Sequence, residues 1–272
     1  MDIKALLGSI ILYLILICPI DTVAQSGSSK SDVAEQLFDN MQLEQQMLET
    51  SEELHSQFVQ NPLGLPAGQN KQMMDLFLEA FSISMLVDDA KQFFRQNLNP
   101  THANSALQWI QEPETKAVLA AQKQFYTLQG IRKRIVHKYE MEQDPPSDQR
   151  VKIIDSLAQN TSAVESEIES QVIIFRAIVS AFDEFNVQQS FSEMQLNGIV
   201  SNFRNQLQLQ VEQEVTNQLM LIYYDVETES LGTYASFYDT ESGRWLNKTT
   251  TQAMHSAYQS AADRFLDSVR NL

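Results

Sequence analysis

The chain has almost nothing in it that stops a helix. Its 272 residues include only 8 Gly and 7 Pro, and no Pro follows Pro146. Between these breakers, apolar residues recur every three to four positions, the rhythm of a helix with one buried face. Ser31 to about Gln60 reads as helix, and Asn61 to Gly68 as a loop. A long helix follows, carrying Met74, Phe77, Phe81 and Met85. Asn99-Pro100 restarts the chain, because Asn caps well and Pro loses nothing at the first helical position. A short helix then bears Ala103, Leu107 and Ile110, and Glu112-Pro113 opens another that runs to about Met141. Asp144-Pro-Pro-Ser-Asp148 is the strongest break in the middle of the chain. Beyond it lie two stripes, Ile168, Val172, Phe175, Ile178, Phe182 and Phe185, then Phe203, Leu207, Val211, Val215, Leu219 and Ile222, with a turn or bend expected at Asn197-Gly198. No stretch alternates like a strand; Tyr223-Tyr224-Asp225 comes nearest, at a helix end. The expected fold is all-α, with roughly eight to ten helices.

The first residues follow a different logic. Lys4, the apolar run Ala5 to Ile20 and the small residues of Thr22-Val23-Ala24 have the layout of a secretory signal peptide over residues 1–24, cut before Gln25. The run is shorter than the ~20 residues of a spanning helix, so no stable membrane span is expected after its removal. Cys18 is the only cysteine and leaves with that segment. A mature chain without disulfides suits a Gram-negative periplasm better than a large extracellular eukaryotic domain. Secretion, or anchoring by an uncleaved signal, is the alternative.

The formal charge of −16 argues against a nucleic-acid partner, which needs a basic footprint, and against charge-driven binding to anionic lipid.

Two parts of the chain can be laid over each other. Ser31-Asp32, Leu37-Phe38-Asp39 and Met41 match Ser147-Asp148, Ile153-Ile154-Asp155 and Leu157. Asn99 to Leu119 matches Glu227 to Asn247 at a slightly larger offset, with Trp109-Ile110 on Phe237-Tyr238 and Lys116 on Arg244. Breaks recur as well as apolar positions, which is the mark of a repeat rather than of generic amphipathicity. Residues 25–144 and 145–272 are therefore expected to form two similar helical bundles packed together, with their short helices near a pseudo-twofold axis.

The second copy carries Val226-Glu-Thr-Glu-Ser-Leu231 and Ala235-Ser-Phe-Tyr-Asp-Thr-Glu-Ser-Gly-Arg-Trp-Leu246. This stretch, residues 227–247, resembles the signature of the DUF2059 family, Phe-Tyr-x-Ser-x-x-Gly-Lys/Arg, through Phe237, Tyr238, Gly243 and Arg244. Thr240 replaces the motif Ser, and the first copy departs further, with Thr115 in place of Gly. The resemblance implies an exported bacterial helical protein and no particular activity.

No motif announces chemistry. His55, His102, His137 and His255 are far apart, no Gly-rich phosphate loop or Gly-x-Ser-x-Gly elbow occurs, and Glu165, Glu167 and Glu169 alternate like a solvated helix face. No catalytic residue, metal ligand or cofactor is assigned. Trp109, Tyr234, Phe237, Tyr238, Trp245 and Arg244 are the candidates for an apolar groove that receives a lipid tail or a partner helix, with an inter-copy core as the bland reading. The function expected is a non-enzymatic periplasmic protein that binds an envelope protein or an apolar ligand. The alternative is a hydrolase with carboxylates assembled in three dimensions. Oligomeric state is not legible.

Overall fold

The computed structural model describes residues 30–60, 66–185 and 191–272; the signal-like segment, Cys18 and residues 61–65 of the expected loop lie outside them, and Ala67 and Gly68 of that expected loop already belong to a helix. Among the described residues there are twelve helices and no strand: α1 Lys30–Asn40, α2 Leu43–Gln60, α3 Ala67–Ala80, α4 Ile83–Gln96, α5 Pro100–Gln111, α6 Pro113–Phe125, α7 Leu128–Gln143, α8 Asp148–Asn160, α9 Ala163–Phe185, α10 Glu193–Ile222, α11 Thr228–Phe237 and α12 Glu241–Arg270.

Local chemistry explains most boundaries. The Asn99 side chain accepts from the N–H groups of Thr101 and His102, with Pro100 at the first helical position. Ser192 and Gln195 form a reciprocal capping box at the start of α10. At the other end of α10, Arg150 from α8 donates to the carbonyls of Tyr223, Tyr224 and Val226 and to Thr228 Oγ1, which satisfies the acceptors of the turn that joins α10 to α11.

Four expected helical runs are each split, which is why twelve appear, one of them at Ser162 (φ 47°) between α8 and α9. Gln42 breaks the first at φ 55°, and its side-chain amide donates to the Asp39 carbonyl. Extended backbone at Ser82 separates α3 from α4, and Ser51 Oγ reaches the freed Phe81 carbonyl at 3.4 Å. Thr127 caps α7 and so ends α6 before the expected run to Met141. Conversely, no bend occurs at Asn197-Gly198: α10 runs through both, and Gly198 faces open space.

One main core draws on both halves of the chain, from Ala34 to Val269, and a smaller cluster lies between α9 and α10 around Val172, Val211 and Val215. α12 is the spine of the main core. Its small Ala253, Ala257 and Ala261 let neighbours approach closely, while Leu246, Tyr258 and Phe265 fill the space between. It packs on α3, α4, α5 and α9.

The two halves follow the same element order. α1 packs on α2, α4 and α5, and α8 packs on α9, α10 and α11. α10 is one helix of 30 residues where the first half has α3 and α4, and α12 is one of 30 where the first half has α6 and α7. α6 lies against α11, and α12 against α5, the reciprocal contact expected about a twofold axis. Gln42 and Ser162 are the only non-glycine residues at positive φ among the described residues, and each joins the first two helices of its half. The buried sets Ala34, Leu37, Phe38 and Ile154, Leu157, Ala158 share one spacing. That register places Leu37 on Leu157, about one turn beyond the sequence match to Ile153.

Candidate functional site

Four of the six groove candidates converge. Trp109 at the end of α5 stacks on Phe237 at the end of α11, with ring centroids 4.0 Å apart and planes 9° from parallel. Tyr234 lies 4.9 Å from Trp109, and Tyr238 meets it edge-on at 5.7 Å. Trp109, Tyr234 and Tyr238 are buried and Phe237 is half-buried, so these rings spend their apolar surface on one another. The other two candidates stand apart. Trp245 packs against His102 and Phe94, and exposed Arg244 donates to the Asp239 carbonyl at the preceding turn.

That turn is built twice. Thr240 Oγ1 donates to the Phe237 carbonyl at 2.7 Å and accepts from Gly243 N–H at 3.0 Å. Thr127 Oγ1 donates to the Gln124 carbonyl at 2.7 Å and accepts from Gly130 N–H at 3.1 Å. A Cβ on either glycine would stand 2.0 Å from the Phe237 carbonyl oxygen or 2.2 Å from that of Gln124. Phe125-Tyr126-Thr127-Leu-Gln-Gly130 thus resembles Phe237-Tyr238-Asp-Thr240-Glu-Ser-Gly243 less one residue, but at a different place in its half, joining α6 to α7 rather than α5 to α6.

Beside the aromatic stack lies a partly open cavity of about 280 Å³. Tyr234 and Tyr238 line it, but Trp109, Phe237, Arg244 and Trp245 do not. Both halves contribute at like positions: Leu43 and Ala163 begin α2 and α9, Gln46 and Ser166 follow one turn on, then Thr50 and Ser170. The lining also holds Glu49 of α2, Glu167 of α9, Gln122 and Tyr126 at the end of α6, and Tyr223, with no Lys, Arg or His among the described residues.

The polar wall is organised. The Gln122 amide donates to Tyr223 at 2.6 Å and to Tyr234 at 3.3 Å, and the hydroxyls of Tyr234 and Tyr238 share a hydrogen bond at 3.2 Å. Gln122 Oε1 is buried with no partner. Turning the amide over would exchange that orphan for an unmatched N–H, so one amide atom is unmatched either way. Glu167 accepts from Gln171 at 2.8 Å. Arg134 of α7 stands 3.9 Å from Glu49, beyond hydrogen-bond range, with its guanidinium over the Phe125 ring. Burial chiefly, and then the charges of Glu49 and Glu167, push the Tyr126 hydroxyl well above the usual tyrosine range, although Arg134 opposes them. Burial raises Tyr223, Tyr234 and Tyr238 likewise. All four remain neutral hydroxyls at any physiological pH.

Sequence reasoning found Tyr234 and Tyr238 through the motif but missed Glu49, Gln122, Tyr126 and Glu167, which sit on different elements and carry no local signature. Glu167, read as part of a solvated face, lines the cavity, whereas Glu169 pairs outward with Arg204. The described histidines are dispersed. His102 bonds Ser242, His137 faces Asp225, and His255 donates to the Ser166 carbonyl at 3.0 Å. No group of three or more possible metal ligands occurs among the described residues.

No family model, curated protein or solved structure matches the chain significantly.

Proposed function

We propose that this is an exported, non-enzymatic helical protein, built from two divergent copies of one five-helix unit, that takes a small polar molecule into the cavity between them. The observation that carries the reading is the lining itself. One cavity is walled by like positions of both halves and furnished with hydroxyls, amides and two carboxylates. Duplication is supported by the shared element order and by the two left-handed residues at Gln42 and Ser162. Membership of the DUF2059 family is supported by Phe237, Tyr238, Gly243 and Arg244. Export to the periplasm is supported by the layout of Met1 to Ala24. No helix among the described residues is long and apolar enough to cross a membrane. The polar wall favours a polar ligand over a lipid tail or a partner helix, since the rings offered for those are stacked on each other.

Native mass spectrometry of the protein isolated from its own envelope fraction tests this reading. The expected spectrum contains a bound small molecule that disappears in Thr251→Trp, a change on the cavity wall. Unliganded spectra from both proteins would oppose it. A carboxylate-based hydrolase is the second reading, favoured by Glu49 and Glu167 lining one cavity and both acting on Tyr126. Conversion of the bound molecule by the wild type and not by Glu49→Gln or Glu167→Gln would select it.

A further inference from the structure

We propose that the outward face of α7 is a docking surface for a lipid bilayer carrying anionic headgroups, on which the helix lies flat. This holds whatever the cavity takes in. α7 is amphipathic in the inverted sense, with its polar side turned to the protein. Gly130 is buried against the Gln124 and Phe125 carbonyls, and Lys133 donates to Asp225 at 2.8 Å. Arg134 lies over the Phe125 ring, and His137 stacks on Tyr224 with ring centroids 4.2 Å apart. These contacts fix the rotation of the helix about its own axis. The opposite edge then presents Leu128, Ile131, Ile135 and Tyr139, whose spacing of three, four and four residues lines them up, and all four are exposed. Val136, also exposed, widens the edge. A contiguous apolar patch of this kind marks an interaction site.

Charge points to the partner. Of the chain's 19 Lys and Arg residues, Arg132, Lys133, Arg134 and Lys138 fall within the 16 residues of α7. Arg132 and Lys138 are exposed and flank the apolar edge on opposite sides. A basic amphipathic helix with its apolar edge uncovered suits a membrane surface. The apolar side chains enter the acyl boundary, and Arg and Lys reach the headgroups along their stems. The net charge of −16 argues against attraction by charge alone. Here the apolar edge supplies the anchorage, and the two cations match the headgroups at the place of contact. The edge runs about 17 Å at 1.5 Å per residue, too short to cross a bilayer, and Glu140 and Glu142 close it beyond Tyr139. A second copy fits less well. Two chains of like charge repel, and one face of a 16-residue helix falls short of the ~800 Å² per partner of a stable interface. A grooved protein would need acidic rims on both sides of the apolar edge, whereas an anionic bilayer presents headgroups on both.

Flotation of the full chain with lipid vesicles tests the assignment, using phosphatidylcholine alone or with about 30% phosphatidylglycerol. The wild type is expected to float with the anionic vesicles and several-fold less with the neutral ones. Replacing Ile131 and Ile135 together by Ser is expected to weaken binding to the anionic vesicles by roughly ten-fold or more. Arg132→Gln with Lys138→Gln is expected to weaken it by roughly ten-fold and to flatten its dependence on salt. Met194→Ser, which removes an exposed apolar side chain on α10, is expected to leave it unchanged. All these positions are exposed, and thermal melts check that each variant folds. A wild type that floats with neither vesicle overturns the proposal. So does flotation undiminished in the Ser variant, as the apolar run Ala5 to Ile20 would give by itself. Equal flotation with both vesicles, untouched by the two Gln changes, overturns the assignment of anionic lipid. Sedimentation velocity reads the other occupant: a dimer that the Ser variant dissociates, without flotation, gives the face to self-association and overturns the lipid reading.

Discussion

At the residue scale, two glycines show how a short motif can be structural. Gly130 and Gly243 let the chain turn back so tightly that a Cβ would sit against a backbone carbonyl, which cannot move aside as a side chain can. Gly130→Ala and Gly243→Ala are each expected to destabilise the protein by about 1–3 kcal/mol, the usual cost of forced overpacking. Gly198→Ala, at an open helical position, is expected to be neutral or slightly stabilising. Urea denaturation of the three variants checks this, and equal midpoints would remove the close-approach argument. The buried tyrosines give a second expectation. Burial raises Tyr126, Tyr223, Tyr234, Tyr238 and Tyr258 above the ordinary value of 10.0. Above about pH 10 the unfolded chain releases these protons while the folded chain keeps them. Their stabilising contribution is therefore complete below pH 10 and lost as the pH rises beyond it. Thermal melts from pH 7 to 11 are expected to be flat in this respect to about pH 9.5 and then to fall steeply; Tyr223→Phe should soften the fall.

At the element scale, periodicity made helix type and burial face legible. The stripe in α10, for example, places Val211 and Val215 in the core as its spacing implies. Breaks were legible only where Pro or a polar cluster marks them. The missed breaks at Gln42, Ser82, Thr127 and Ser162 have no such mark. Two are non-glycine residues in the left-handed region, and the others are Ser and Thr inside apolar rhythm. α7 is the most exposed consequence of such a break. Freed from α6, it shows Leu128, Ile135 and Tyr139 to solvent at 79%, 73% and 63%, and turns Arg134 and His137 inward instead. Its aligned partner, the second half of α12, buries Ala257, Tyr258, Ala261 and Phe265. Ile135→Ser is therefore expected to change stability by less than about 0.5 kcal/mol, and Phe265→Ala to cost about 3–5 kcal/mol. Chemical denaturation distinguishes the two, and a large loss at Ile135 would mean that α7 is covered in solution.

At the scale of the whole molecule, the all-helical fold was legible from breaks and apolar positions, and the sequence match aligns Asn99 with Glu227 at the starts of α5 and α11, although only Asn99 caps through its side chain. The cavity was not legible. It exists only where two helix starts, the end of α6 and the aromatic wall meet, and its Glu49 and Glu167 look in sequence like any solvated helix carboxylates. The sequence therefore directed attention to an aromatic group of which only Tyr234 and Tyr238 reach the cavity, while the cavity itself depends on elements from both halves. This shared cavity is proposed to hold a small molecule. A crystal structure of protein isolated from its own envelope, without added ligand, tests it most directly. The expected result is non-protein density between Tyr126, Gln122, Glu49 and Glu167 that is too large for water. Ordered water alone in that cavity, with a bound molecule elsewhere on the chain, would contradict the account.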